Sequence, residues 1–450
     1  MSGRVTIVGG GLAGIAAALD CADAGVQVTM LEVRPQLGGA AYSFEREGLR
    51  LDNGQHVFLR CCTEYIALLE RIGSRGLTAL QPRLEIPVLA PGGAVGWLRR
   101  SGLPAPLHLA GALAAYSHLD AADRARAARA ALALRRLDPA DPRLDTRTFG
   151  DWLTAHDQTP AAIEALWDLI ARPTLNLPAA EASLAQAVQV FQTGLLSSAD
   201  AGDIGWASAP LGDVHDVAAR RALAAAGVEV RVRWRAERVA RDTGGRWWID
   251  GADERVDADA VIVAVPHDRV EQLLPPGSLA APERLRDLGA SPIVNLHVAY
   301  DRPVTDLPFA AAVRSPVQYV FDRTRSAGLE HGQLLAISLS AAYDEMELRP
   351  EELRARYLPA LAEMFPNARW ARVERFIVTR EHAATFRTAP GSAALRPANE
   401  TLLPGLALAG AYTATGWPAT MEGAVRSGRA AARAALAALP EEHSCEAVAA

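Results

Sequence analysis

The chain has 450 residues, half of them apolar and 22% charged, with a formal net charge of −6. That length exceeds a single compact core and predicts two lobes of a soluble globular enzyme, while the acidic balance excludes nucleic acid as a partner. Its 46 basic residues are all arginine, which excludes Schiff-base lysines and lysine general bases.

The four cysteines, Cys21, Cys61, Cys62 and Cys445, have no metal-ligand spacing and read as reduced cytosolic thiols, with no metal expected. A first strand starting at Arg4 leaves no room for a signal peptide, and no apolar run reaches transmembrane length. Val5, Ile7 and Val8 form a buried strand that ends abruptly in glycine. Gly9, Gly11 and Gly14 then complete G-x-G-x-x-G. The first glycine allows the tight turn, the second admits a pyrophosphate, and the third lets the next helix pack close. Leu12 and Ala13 open that helix, so its free N–H groups point at an anion. Gly25 stops it, and Val26, Val28 and Leu31 lead to Glu32, placed to accept from the ribose hydroxyls of an adenosine.

After Glu32 come Arg34 and a second glycine pair, Gly38-Gly39, which again permits close approach to phosphate. This arrangement resembles the amino-terminal signature of the FAD-containing amine oxidase and carotenoid desaturase superfamily. The basic residue that usually follows the double glycine is Ala40 here, so the pyrophosphate would rely on backbone N–H groups and Arg34. The resemblance implies an α/β fold in which a Rossmann-like FAD-binding lobe carries an inserted substrate lobe of mixed sheet and helices. The expected division is 1–80, 206–274 and 391–440 for the FAD lobe. The stretch 81–205 is expected to be a helical, substrate- or membrane-facing region, 275–390 the substrate sheet with its helices, and 441–450 a tail.

Downstream, Leu51-Asp52-Asn53-Gly54-Gln55-His56 is a polar stretch where an ordinary strand would be apolar. In the superfamily such a segment returns beside the flavin, so Gly54 and Gln55 are expected at the cofactor. His56 is either a proton donor with a pKa near neutral or a histidine bonded for structure. Residues 107–119 are Ala/Leu-rich, and Asp120 opens a helix carrying Arg124, Arg126, Arg129, Arg135 and Arg136. Two readings stay open there: a core helix beside a solvated one, or an apolar and a basic helix docked on an anionic bilayer. A cytoplasmic location follows, with contact at the inner membrane face as the second possibility.

The nucleotide lobe resumes with a helix over 214–226, stopped by Gly227, and a strand over 228–232. The resemblance puts the segment around Val239 over the adenine. Residues 258–266 read as a buried strand ending at Pro266. Strands are predicted at 293–300, 317–321, 334–339 and 372–378, with a helix at 350–364. Phe309, Tyr319 and Phe321 are candidate pocket lining. Finally an apolar strand meets Gly410, and a long Ala-rich helix opens at Thr420 and Met421, aiming N–H groups at the flavin. The ribityl-binding acid usual after the glycine is Ala411 here. No Cys or His lies between Gly410 and Gly428, so FAD is expected to be held non-covalently.

Asp52-Asn-Gly-Gln-His56, Pro173-Thr-Leu-Asn-Leu-Pro178, Pro390-Gly391, Arg396-Pro397 and Gly416-Trp-Pro-Ala-Thr-Met-Glu-Gly423 together resemble the hydroxysqualene dehydroxylases of bacterial hopanoid pathways. That resemblance implies hydride transfer from reduced flavin to an isoprenoid allylic alcohol, giving squalene and water, with an unidentified electron donor. It casts His56 as proton donor and the Trp417 indole as the face that steadies an allylic cation. The alternatives are a carotenoid-type desaturase using oxidised flavin, an amine oxidase, or a lipid carrier on the same fold. The lack of lysine counts against the amine oxidase, since many of those hold a water beside the flavin with one.

Overall fold

The computed structural model describes residues 3–440. The predicted tail, with Cys445, lies outside the described residues. Strand β1 (Arg4–Val8), helix α1 (Leu12–Asp23) and strand β2 (Gln27–Glu32) follow one another as the glycine spacing predicts. The strands join a five-stranded parallel sheet ordered Glu229–Val232, β2, β1, Ala260–Val263, Leu406–Leu408. Its strands therefore come from widely separated parts of the chain. The carboxyl ends of β1 and β2 meet at Gly9, whose N–H donates to Leu31 O at 2.8 Å.

Two helices close the sheet on one side, and glycine sets how near they come. A Cβ at Gly14 would stand 2.0 Å from Gly9 O, and one at Gly428 only 2.1 Å from Ala13 O. Helix α1 is therefore pressed against its own phosphate-binding turn and against the C-terminal helix, Met421–Ala437. Ala16, Ala17 and Ala18 of α1 are buried, small residues that let neighbouring backbones approach.

A seven-stranded sheet builds the second lobe, ordered Val373–Thr385, Ser291–Tyr300, Gln333–Ser340, Tyr319–Asp322, Phe309–Ala312, Glu85–Ala90, Ala94–Arg99. Its second strand, Ser291–Tyr300, shows why it has two unlike faces. Val294, Leu296, Val298 and Tyr300 pack on the helix Pro350–Met364, while the alternate Asn295 and His297 face the nucleotide lobe. The predicted helix at 350–364 is reproduced residue for residue.

Residues 81–205 depart from their expected helical character. Their first part is the hairpin Glu85–Ala90/Ala94–Arg99, turned by Gly92 and Gly93 at φ +83° and +78°. Pro87 inside its first strand hides the alternation that would reveal it, because proline is unusual within a sheet. The strand Phe309–Ala312 was not predicted either; it is short and its alanines carry little pattern. From Ala110 onward the region is helical, and the arginine-rich helix Ala121–Leu134 is capped by Asp120, which accepts from Asp123 N. Arg126 pairs with Asp123, and Arg124 and Arg135 donate to the carbonyls of Ala114 and Leu196. Among the described residues no helix is long and apolar enough to cross a membrane.

The close helix contact gives a test of stability. Gly428→Ala forces a methyl against the Ala13 backbone, and overpacking of this kind typically costs about 1–3 kcal/mol. Urea unfolding should show the loss as a lower midpoint. A midpoint equal to that of the parent protein would mean that the helices can part freely.

Candidate active site

The glycine loops form a cradle before any ligand is considered. Gly38 N donates to Gly10 O at 2.9 Å, which draws the double-glycine turn against the first loop. A Cβ at Gly39 would stand 2.8 Å from Gly11 Cα and one at Gly9 2.3 Å from Ala264 O, so each turn has a position that only glycine fits. Arg34 donates to Gly39 O at 3.0 Å and lies over the Tyr42 ring, bracing the second turn. Glu32 is buried at the tip of β2, its two oxygens accepting from Gly10 N at 2.6 Å and Arg34 N at 2.7 Å. The carboxylate is thus oriented beside both loops. The first-turn N–H groups of α1, at Leu12, Ala13 and Gly14, have no side-chain cap.

The far end of the sequence supplies the opposite wall. Gly410 (φ +148°) follows the last parallel strand, with its N–H on Ser427 Oγ at 2.9 Å. Thr420 caps the C-terminal helix by accepting from Gly423 N at 3.1 Å, so Met421 begins the helix where the sequence predicted. Gly9, Gly11, Leu12, Ala13, Gly14, Glu32, Arg34, Gly38, Gly39, Gly410, Thr420 and Met421 all lie about the carboxyl edge of one sheet. Val239 is fully buried, paired with Ile249 and packed with Val8 and Leu31, so only its backbone is free to meet a nucleotide.

The Asp52–His56 stretch lies where the two lobes meet. Asp52 is a structural anchor: its Oδ2 accepts from Arg323 at 2.6 Å, and its Oδ1 from Leu211 N and Ser43 Oγ. Arg323 also donates to Ala207 O. Asn53 O accepts from Asn295 Nδ2 at 2.9 Å, joining this segment to the strand Ser291–Tyr300 of the substrate sheet. Gly54 lies between Asn295 and His56 with room for nothing larger than a methyl group. Gln55 and His56 line a small cavity with Asp52, Val57, Trp206, Leu211, Phe321 and Arg323, large enough for about one water molecule. Of the predicted lining aromatics Phe321 reaches this cavity; Phe309 stacks behind it at 5.8 Å, and Tyr319 donates to Leu169 O.

Two catalytic expectations change. Burial, with the Arg323 charge behind the opposing Asp52 charge, holds the His56 pKa at about 4 instead of near neutral. His56 is therefore a neutral imidazole at physiological pH, able to offer a hydrogen bond but not a standing proton. Trp417 does not reach the His56 cavity. It packs on the nucleotide-lobe core, and the Arg426 guanidinium lies 5.0 Å from its ring centroid. A face already holding a cation is poorly placed to receive a second.

Two further residues take roles that the sequence did not assign. His215, at the start of the helix predicted over 214–226, bonds Tyr65 Oη at 2.8 Å and Ala41 O at 3.3 Å, fixing the turn after Gly39. Glu422 caps the helix Thr63–Arg71 by accepting from Glu64 N and Tyr65 N, and pairs with Arg426 at 2.7 Å. Such partners are hundreds of residues apart in the chain, and only local motifs can be read without the fold.

These loops fit a dinucleotide: glycine-only turns, uncapped helix N–H groups and an oriented carboxylate are the donor and acceptor set that FAD needs. The sequence pattern of the flavin containing amine oxidoreductases matches residues 12–436. The chain belongs to that family. Members of it take FAD as cofactor, and this chain is a flavin-dependent oxidoreductase whose cofactor is FAD. A wild-type putrescine oxidase bound to putrescine shares the fold, with a TM-score of 0.71 and 22% identity over 97% of this chain and 99% of that one. Cyclohexylamine oxidase from Brevibacterium oxydans superposes with a TM-score of 0.70 at 17% identity, over 97% and 98%. Among sequence relatives, a probable zeta-carotene desaturase of Synechococcus elongatus is 27% identical over 96% of this chain and 98% of its own. The hydroxysqualene dehydroxylase of Rhodopseudomonas palustris is 29% identical over 97% and 99%.

Two measurements check this site. Glu32→Ala removes the oriented acceptor, and FAD binding should weaken by about 1.5–3 kcal/mol; an unchanged dissociation constant would show that Glu32 does not touch the ribose. The second concerns the buried histidines His215 and His297, whose pKa values burial holds at about 3 and about 4 against an ordinary 6.5. Below pH 6.5 the unfolded chain binds protons that the folded protein refuses. Stability is therefore full above pH 6.5 and lost as pH falls toward 4, at ~1.4 kcal/mol per pH unit for each histidine. His297→Leu should flatten the slope of unfolding free energy between pH 6.5 and 4.5 by one such increment. An unaltered slope would place a charged His297 in the fold.

Proposed function

We propose that this protein carries out the FAD-dependent reductive dehydroxylation of hydroxysqualene to squalene, within bacterial squalene and hopanoid synthesis. The observation that carries the reading is the end-to-end match to the Rhodopseudomonas palustris enzyme, whose alignment spans 455 residues on this chain of 450. Alignments with the zeta-carotene desaturases run to 477 and 486 residues, so more insertions separate those chains from this one. The branch motifs around His56, Pro173 and Trp417 support the same assignment.

In this reaction the allylic C–O bond breaks, the hydroxyl leaves as water after gaining a proton, and hydride replaces it at carbon. FAD, when bound and reduced, supplies the hydride, and a donor of unidentified nature restores its electrons. The protein's part is to exclude water and orient the alcohol. The cavity beside His56 joins apolar walls, Phe321, Trp206 and Leu211, to the neutral imidazole and the Gln55 amide. In this reading those two polar groups hold the hydroxyl, and the proton reaches it from solvent through the hydrogen bond with His56. Exposed Leu103 and Leu107, ahead of the arginine-rich helix, support peripheral contact with the inner membrane face as the way a hydrocarbon substrate arrives. FAD is proposed to be non-covalent, and acid precipitation should release it.

The second reading is a carotenoid desaturase. The maize zeta-carotene desaturase, 25% identical over 95% of this chain, favours it. There the same lobe would take hydride from a polyene onto oxidised flavin. The two readings separate in a single-turnover experiment. Chemically reduced, anaerobic protein mixed with hydroxysqualene should yield squalene as the flavin absorbance of the oxidised form returns. His56→Phe should slow that step by about 10²-fold or more, as loss of a proton-handling group typically does. Untouched hydroxysqualene, together with dehydrogenation of a polyene by the oxidised protein, would establish the desaturase instead.

A further inference from the structure

Arg396 is a buried cation without a carboxylate partner among the described residues. Its Nε donates to Tyr412 O at 3.3 Å and Thr413 O at 3.0 Å, and its Nη2 to Ala411 O at 3.1 Å and Thr415 Oγ1 at 3.2 Å. The guanidinium lies 5.1 Å from the Phe386 ring centroid, which closes its other side. The nearby Asp145 carboxylate is taken by Ser183 Oγ and Ala393 N. Burial draws the Arg396 pKa down to about 10, a measure of how little solvent reaches it.

The consequence lies on the opposite side of each peptide. In a trans peptide the C=O and N–H point in opposite directions. Holding Ala411 O against Arg396 therefore turns the Tyr412 N–H away from the guanidinium. Gly410 O is likewise fixed, accepting from Thr413 N at 3.1 Å, which sets the Ala411 N–H. Neither the Ala411 nor the Tyr412 N–H has a backbone acceptor among the described residues. Both follow the last parallel strand at the same edge as the glycine cradle. Ala411 has no side-chain polar group, so at that position a ligand can be met only by the backbone.

We propose that Arg396 is a positioning residue for the cofactor: by clamping the carbonyls of the 411–413 turn, it presents the free Ala411 and Tyr412 N–H groups to the FAD diphosphate. Its positive charge, unpaired by any carboxylate, adds to the attraction for that anion. The site thereby gains fixed donors that Ala40 cannot supply through its side chain.

The test compares FAD affinity with stability. Arg396→Met removes the clamp, and the FAD dissociation constant of the refolded apoprotein should rise about tenfold or more. The ³¹P resonances of bound FAD should shift as well, and the melting temperature should fall further for holoprotein than for apoprotein. Arg396→Lys, which keeps the charge but cannot span several carbonyls, should fall between the two and serves alone if the Met variant does not fold. Ala411→Pro, which deletes one presented N–H and leaves Arg396 in place, should also weaken FAD binding. Equal loss of melting temperature in apo- and holoprotein, with unchanged dissociation constant and ³¹P spectrum, would reduce Arg396 to a structural clamp and overturn the proposal. An unchanged FAD affinity in Ala411→Pro would overturn it too.

Discussion

The contact between α1 and the C-terminal helix is the constraint on which the rest of the molecule depends. Gly428 meets the backbone at Ala13, and Gly14 meets Gly9 O, with no room for a single methyl group at either place. The start and the end of the chain are thereby locked into one lobe, and everything between them must leave the parallel sheet and come back to it. The same packing sets the angle of both helix N-termini toward the carboxyl edge of the sheet. A site for an anionic dinucleotide is thus a by-product of how closely two small-residue helices can approach.

A second junction holds the substrate lobe in register with the first. The Asp52–Arg323 pair is buried on both sides, and Asn53 is tied to Asn295. A buried ion pair adds little net stability, because desolvation offsets most of the attraction. Its effect here is geometric, since each partner also holds backbone groups of the 207–211 connector. The cavity beside His56 lies against this junction, so its shape depends on lobe packing more than on any one loop. It has room for about one water molecule, with Gln55, His56 and Arg323 among its polar lining and Trp206 and Phe321 among its aromatic lining.

A chain without lysine must do all its cationic work with arginine. Two buried guanidinium groups act as multi-point clamps: Arg323 on a carboxylate and two carbonyls, Arg396 on three carbonyls and a hydroxyl. A planar fork of donors suits that work and an ammonium does not. The cost is that such cations are fixed in place and do not exchange protons.

Parts of the fold whose signals are local were legible in the chain before any tertiary contact was considered. Glycine spacing set the phosphate turn, a terminal acid marked β2, and the threonine cap with its Ala-rich run located the last helix. The helix 350–364 was legible from its periodicity, and the α/β class followed from these elements. The glycine-flanked hairpin at 85–99 was not, because its partner strand is more than two hundred residues away and Pro87 masks its alternation. Tertiary structure alone decided what the polar motif residues do. Asp52 and Glu422 anchor and cap, Arg426 lies over Trp417, and enclosure holds His56 neutral. The reason is physical. Turn geometry and periodicity are written within a few residues, whereas desolvation and ion pairing depend on which distant segments the fold brings to the same point.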